Sequence, residues 1–373
     1  MKPMLYYLPL EAYEERYTMQ LSSPDGWFEM ALKKHGVRFV RVEGQQIRNT
    51  IKQGVVLDAC GRCYWATTQM QALIRLIDEG EVHSGDTIYL EDFWHPGFSS
   101  LPYIRHLTGI EYKIYSYAWA QSVDEYDFTH EMRTWMRSFE VGEARSLERV
   151  FVASTMLKDL LIDAGITPKN EVEVVGLPFS SEEVKRRVQE PLCEKKLPKT
   201  VIFSSRWDVE KRPEFFLHVV DEVLMRDPKF HFIVATSKER QRSNDGKLMN
   251  LLNNYLKKYP NNLVLFEGLS KEEYYTLLAT SEFQLNTSNQ DWVSYTLLEA
   301  ATFNCIPVYP DFRSFPEVFV NNKQFTYDHQ KPHSAADRLI SLQGSAQDVS
   351  WIVRHHDASV DRIIERMGLL SGS

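Results

Sequence analysis

Two carboxylates eight positions apart, Asp291 and Glu299, lie in the run Asn289-Gln290-Asp291-Trp292-Val293-Ser294-Tyr295-Thr296-Leu297-Leu298-Glu299-Ala300. The first falls in a loop and the second inside a helix that opens near Ser294, so both can face one cleft. Carboxylates so placed suit hydroxyl-rich ligands, because they accept strong hydrogen bonds from O–H groups. Glu317 follows in the next loop-helix segment. A second group, Glu91-Asp92-Phe93-Trp94-His95-Pro96-Gly97, ends a predicted strand. Its carboxylates, ring and imidazole suit an acceptor hydroxyl and a ring to stack on. The same residues equally suit a loop whose aromatics plug the top of a domain. A third group is Cys60-Gly61-Arg62-Cys63, placed between a strand-like Val55-Leu57 and a helix-like run through Ile77. A helix start lowers a thiol pKa, so redox chemistry is open there beside a plain turn. A zinc site needs a second ligand pair, and no other pair has suitable spacing.

These groups are positioned by an alternation of short apolar runs and helix-like segments. In the first half the strands read Met4-Leu8, Val37-Val42, Val55-Leu57, Thr87-Leu90, Tyr112-Tyr117 and Val150-Ala153. Helices are expected from Gly26 to His35, stopped by Gly36, and from about Ala66 to Glu79. Ser180 to Lys199 is charged, carries Pro191 and Pro198, and reads as a connector. The alternation then restarts, with strands at 200–204, 230–235, 263–266, 283–285 and 306–309 and helices at 213–225, 247–258, 271–280 and 294–303. Such alternation implies α/β architecture, parallel sheets covered on both faces. The expected division is an acceptor-binding domain over 1–180, a linker over 181–199, a donor domain over 200–345 and a C-terminal helix within 346–373 that returns to the first domain. Doubly wound domains bind ligands at the carboxyl ends of their strands.

The chain has 373 residues, 43% hydrophobic and 25% charged, an ordinary globular balance for two domains. No run of 18 apolar residues is present, so no membrane span is expected. The first twenty residues lack the apolar core and cleavage site of a secretory signal, which makes a cytoplasmic location the expectation. A net charge of −8 gives no general attraction to nucleic acid, though it leaves a local basic face open. Four cysteines in this length do not make a disulfide framework.

The motif from Asp291 to Glu299 resembles the Glu-x7-Glu motif of retaining GT-B glycosyltransferases, above all glycosyltransferase family 4. Asp291 replaces the first Glu, Ser294 stands at the usual glycine, and Asn304-Cys305-Ile306-Pro307-Val308 replaces a glycine-led strand start. Ser204-Ser205-Arg206-Trp207-Asp208-Val209-Glu210-Lys211 looks like that family's Gly-Arg-x4-Lys segment. The resemblance covers about residues 200–320. It implies a GT-B fold, two Rossmann-like domains facing a cleft, and a nucleotide-diphospho-sugar donor, UDP-linked above all. It implies further that Asp291 holds sugar hydroxyls, that Glu299 holds the ribose, and that Arg206 and Lys211 clamp the diphosphate. Ser294, Tyr295 and Thr296 would complete the donor site, and Thr236, Ser237, Gly268 and Leu269 would line the base pocket. The family needs neither metal nor other cofactor for transfer, and no Asp-x-Asp pair is seen here.

The first half departs from that pattern. The loop Pro9 to Gln20 has no glycine, and the run Tyr115 to Gln121 lacks the family's histidine. The acceptor residues expected instead are Glu91, Asp92, Trp94, His95 and Trp119. The stretch Tyr13-x3-Tyr17-Thr18-Met19-Gln20-Leu21 is similar to glycosyltransferases of large tailed phages, some of which decorate hydroxymethylated pyrimidines in phage DNA. That implies a DNA acceptor in a host cytoplasm. Arg38, Arg41, Arg48 and Lys52, or Arg133, Arg137, Arg145 and Arg149, are candidate phosphate contacts, and Trp94, Trp119 and Trp135 candidate platforms for a flipped base. The alternatives are transfer to a surface polysaccharide or glycolipid and, in another class, a nucleotide-binding or redox module.

Overall fold

The computed structural model describes residues 3–13, 17–47, 58–119, 121–188, 196–243, 245–345 and 347–370. The strand expected at Val55-Leu57, the candidate cations Arg48 and Lys52, and Pro191 lie outside the described residues. The chain divides into two compact units, Met1–Phe179 with Ala358–Ser373, and Ser180–Asp357.

The first unit carries six strands: β1 Leu5–Leu8, β2 Phe39–Arg41, β3 Thr87–Leu90, β4 Lys113–Ala118, β5 Arg149–Val152 and β6 Val172–Val174. Their order is β2-β1-β3-β4-β5-β6 and every pairing is parallel. The second unit carries β7 Leu197–Phe203, β8 His231–Ala235, β9 Leu263–Phe266, β10 Ser281–Leu285, β11 Ile306–Pro310 and β12 Thr326–Tyr327. Their order is β12-β11-β10-β7-β8-β9, again parallel throughout. Parallel strands covered on both faces are largely apolar, as Val201, Ile202 and Phe203 of β7 are, all wholly buried. In each sheet the chain starts near the middle and winds outward in two directions. The switch points fall between β1 and β3 and between β10 and β7, where a doubly wound sheet opens room for a ligand. This is the GT-B fold.

Several elements differ from their sequence expectation for local reasons. Ser181–Arg186 is a helix rather than irregular connector. Ser180 caps it by accepting from the Glu183 amide, Glu182 and Glu183 start it, and Lys185 and Arg186 end it. The helix after the cysteines begins at Ala59, not near Ala66, because the Asp58 carboxylate accepts from the Gly61 amide at 3.2 Å. Cys60 and Cys63 therefore stand in its first turns, the former exposed and the latter half-buried with its thiol pushed up by burial. The segment from Ser350 to Met367 is a 3-10 turn, Ser350–Val353, and two short helices, Arg354–Asp357 and Ser359–Arg366. Ser359 Oγ donates to the Gly176 carbonyl at 2.9 Å, and Arg362 Nε donates to that of Val175 at 3.1 Å. The edge strands β6 and β12 are too short for a periodic signal.

Candidate functional site

In the second unit the residues with chemistry gather at the carboxyl ends of β7, β10 and β11. After β7 the chain makes a 3-10 turn, Val209–Lys211, and Arg212 takes a left-handed conformation, φ 51°, before Pro213 opens the helix Pro213–Arg226. Thr287, just past β10, donates to the Lys211 carbonyl at 2.7 Å and fixes this turn against the next loop. Asn289 N–H adds a bond to the Glu210 carbonyl at 3.1 Å. The consequence is a buried Lys211 whose ammonium lies 3.0 and 3.1 Å from the two Asp291 oxygens and 3.3 Å from Ser288 Oγ. Asp291 itself sits at φ 105°, a strained position for a non-glycine residue. Backbone strain of that kind gathers where a loop must present a group in one place.

Ser294 stands at the start of the helix Tyr295–Thr302, but its hydroxyl caps no amide. It lies 2.8 Å from Thr296 Oγ1, which lies 3.2 Å from the Tyr309 hydroxyl. Burial raises the Tyr309 hydroxyl far above the usual phenol range, so it remains a neutral donor. Glu299, one helical turn further in, is almost fully buried. Its Oε1 accepts from Lys271 Nζ and from the Tyr275 hydroxyl, each at 3.0 Å. Asn304, where the resembled family has glycine, is at φ 53°. Asparagine tolerates that left-handed region better than most residues, which is why the replacement leaves the start of β11 intact.

Gly268 is also left-handed, φ 67°, with its amide on the Lys238 carbonyl at 2.7 Å. Leu269 N–H donates to the Thr236 carbonyl at 3.1 Å, so the loops after β8 and β9 lie side by side. Ser237 and Gly268 are exposed there, and Thr236 and Leu269 half-buried. Arg206 has other partners than Lys211. Its side chain is 50% exposed and bonds to Asp208 at 3.0 Å and Glu210 at 2.6 Å, carboxylates of its own loop. Its neighbour Trp207 is wholly buried and donates to the Leu248 carbonyl, which anchors the loop.

In the first unit the expected acceptor residues divide. Glu91 and His95 are turned inward. Glu91 is 1% exposed and accepts from Leu10 N–H at 2.7 Å and the Tyr7 hydroxyl at 2.9 Å. Burial pushes its carboxyl up to about 7. His95 lies 3.0 Å from Gln69 Oε1, and burial, with the Arg62 guanidinium adding to it, holds its imidazole down to about 3. Glu91 ties the end of β3 to β1 and the loop after it, His95 ties the loop after β3 to the helix Ala59–Asp78, and both side chains are buried away from solvent. Asp92, Trp94 and Trp119 are half-buried. Trp119 donates to the Glu91 carbonyl at 2.6 Å and packs against Tyr17 and Tyr117. The residue that joins this edge is Arg62, which its place between two cysteines does not mark in the sequence. Its buried guanidinium lies 3.1 Å from Glu11 and 2.9 Å from Asp92. Glu143 stands near this group, its carboxyl raised to about 9 by burial, then by Asp92 and Glu140.

The pH dependence of stability follows from Glu91 and His95. A carboxyl raised from 4.5 to about 7 binds its proton more tightly in the folded state, so it contributes stability below about pH 4.5 that is lost as pH rises through 7. His95, lowered from 6.5 to about 3, contributes stability above about pH 6.5 that is lost as pH falls toward 3. The two slopes oppose each other between the overlapping limits. Glu91→Gln should therefore gain on the wild type as pH rises from 4.5 to 7, by about 3 kcal/mol in total at about 1.4 kcal/mol per unit. Melting temperatures of both proteins across that range test this, and a difference independent of pH would refute it.

Residues 184–346 match the family model described as glycosyl transferases group 1. A stretch of 142 residues is 25% identical to the tRNA-queuosine alpha-mannosyltransferase of Drosophila melanogaster. That stretch covers 38% of this chain and 36% of that enzyme, so the match spans little more than a third of the relative's length. Among solved structures the chain is similar to sucrose-phosphate synthase of Thermosynechococcus elongatus, with TM-score 0.65, 9% identity, and 99% and 97% of the two chains covered. It is similar to a glycosyltransferase of Rickettsia africae, with TM-score 0.63, 12% identity and full coverage of both, 100% and 100%. It is also similar to Anabaena HepE in complex with UDP and glucose, with TM-score 0.62, 12% identity, and 98% and 99% covered. The structural likenesses establish the fold, and the family match supports a glycosyltransferase. Among the described residues no helix is long and apolar enough to cross a membrane, and no three His, Cys, Asp or Glu side chains group as a metal would need.

Proposed function

We propose that the chain is a retaining, metal-independent glycosyltransferase that moves a hexosyl or pentosyl group from a UDP-sugar to the hydroxymethyl group of a modified pyrimidine in DNA. The observation that carries the donor half is the buried Lys211 ammonium on Asp291, with Glu299 on the adjoining helix at the same sheet edge. Lys211 opposes the charge that grows on the departing diphosphate, Asp291 takes sugar hydroxyls, and Glu299 takes the ribose. Arg206 reaches the diphosphate by leaving Asp208 and Glu210. In the reaction the bond from the anomeric carbon to the diphosphate oxygen breaks. The acceptor oxygen bonds that carbon on the same face, and its proton passes to the leaving phosphate. A UDP donor is supported by the UDP held in the Anabaena neighbour.

A nucleic-acid acceptor is supported by the partly matching relative, whose name places its mannose on queuosine in tRNA. It is supported also by the helix Arg133–Ala144 of the first unit. Arg133, Thr134, Trp135, Ser138, Phe139 and Gly142 are its exposed residues, while Glu140 is buried and Glu143 half-buried. Trp135 and Phe139 are 49% and 60% exposed with ring centroids 6.1 Å apart. Two aromatic faces beside an arginine, with no exposed carboxylate in the helix, suit stacked bases and a phosphate.

Transfer of labelled sugar from UDP-sugars to hydroxymethylated DNA, unmodified DNA and a glycan acceptor tests the reading. Label should enter the hydroxymethylated DNA alone, and DNA binding should fall with salt at a log–log slope of about −0.9 per neutralised phosphate. Salt-insensitive transfer to the glycan, with no DNA product, would decide for a polysaccharide or glycolipid acceptor.

A further inference from the structure

Lysine 271 opens the helix Lys271–Thr280, whose start is fixed by a capping box between Ser270 and Glu273. On a helix the positions i, i+3 and i+4 share a face, so Lys271, Tyr274 and Tyr275 stand together. The Lys271 ammonium lies 5.5 Å from the Tyr274 ring centroid and 5.3 Å from that of Tyr275. It also lies 3.0 Å from Glu299 Oε1, the same oxygen that accepts from the Tyr275 hydroxyl. Tyr274 is held in turn, its hydroxyl on Ser204 Oγ at 3.1 Å just beyond β7. An ammonium seated against two rings gains cation–π attraction, and a buried carboxylate without a cation is costly. Helix Lys271–Thr280 thus supplies Glu299 with a cation that the motif around Glu299 does not contain.

From this geometry we infer that Lys271 is a positioning residue for the donor nucleotide. With Tyr275 it saturates Oε1 of Glu299, holds the carboxylate in one rotamer, and leaves Oε2 for the vicinal hydroxyls of a ribose. Lys271 thereby sets the preference for a ribonucleotide over its deoxy counterpart without itself touching the sugar to be transferred. The inference rests on the reading of Glu299 as the ribose carboxylate. A side chain that only neutralised the local charge would affect all nucleotides alike, whereas one acting through Glu299 affects only those with ribose hydroxyls.

The test measures binding of UDP and of 2′,3′-dideoxyuridine diphosphate to the full chain by calorimetry, for wild type, Lys271→Met, Lys271→Arg and Glu299→Gln. Lys271→Met should weaken UDP binding about tenfold and leave the dideoxy compound within about twofold, the scale of one charge-assisted hydrogen bond. Lys271→Arg should restore most of the preference, and melting temperatures should identify any variant that fails to fold. Equal weakening of both nucleotides in a folded Lys271→Met, or an unchanged preference while Glu299→Gln abolishes it, overturns the role of Lys271. An unchanged preference in Glu299→Gln itself overturns the ribose reading of Glu299 beneath it.

Discussion

Replacing Lys211 with methionine is expected to cut sugar transfer by about a hundredfold to a thousandfold, the scale measured for removing one fixed electrostatic contact at a reacting centre. Two effects act in the same direction. The cation that meets the leaving diphosphate is gone, and Asp291, whose two oxygens it held at 3.0 and 3.1 Å, becomes an unopposed negative charge beside that diphosphate. The fold should survive, because the Asp291 side chain keeps partial contact with water and is not stranded in the core. Adding Asp291→Asn to Lys211→Met should recover part of the donor binding but not the rate, since it removes the repulsion at the expense of one sugar contact and does not restore the cation. Arg206→Ala should cost less, about tenfold, because Asp208 and Glu210 already neutralise that guanidinium. Steady-state kinetics with melting curves decide the matter. Turnover near the wild-type value in a folded Lys211→Met would remove the proposed role of this residue.

How much of this was legible in the sequence varies with the kind of signal. Apolar runs bounded by turn residues locate β1, β3, β4, β7, β8, β9, β10 and β11 to within about three residues, because strands of a covered parallel sheet are largely apolar, although β10 also buries Ser281, Glu282 and Gln284. The helix Lys271–Thr280 agrees to the residue, since Ser270 and Glu273 form a readable capping box. The helix start at Ala59 did not show, because Gly61 reads as a turn while the capping Asp58 lies outside the apolar repeat. At the site, the two carboxylates and Lys211 were visible as a spaced motif in adjoining loops and helices. Lys271 and Tyr275 were not, although their i, i+4 spacing on a predicted helix marks them as neighbours. Their meaning comes from Glu299 on a different helix, and that packing is a tertiary fact. Glu91 and His95 illustrate the opposite failure. A strand-end carboxylate and a loop histidine look available in one dimension, yet Tyr7, Leu10 and Gln69, distant in sequence, turn both inward.

Arg62 carries the same lesson into energetics, and Arg62→Met is expected to be among the most destabilising single changes in the first unit. Its guanidinium is buried between Glu11 and Asp92 and donates also to the Trp94 carbonyl at 3.3 Å. Burial lowers its affinity for a proton, but the charges of Glu11 and Asp92 more than offset that, so its pKa is raised and it stays charged. Removing one partner of a buried ion pair costs about 3–5 kcal/mol, chiefly because the remaining charge loses its counterion in a poorly solvated place. Here two carboxylates are left, close to Glu143, whose carboxyl is already raised by burial and then by the charge of Asp92. For a unit of this size each kcal/mol lowers the melting temperature by about 2–4 °C, so a fall of about 10 °C is expected. Methionine fills much of the volume, and the loss would therefore report charge rather than a cavity. Adding Glu11→Gln and Asp92→Asn to Arg62→Met should restore most of the lost stability, because the stranded charges are then gone. A melting temperature within a degree of wild type in Arg62→Met would show that the guanidinium does not hold this edge of the sheet. No recovery in the triple variant would show that it acts by packing instead of charge.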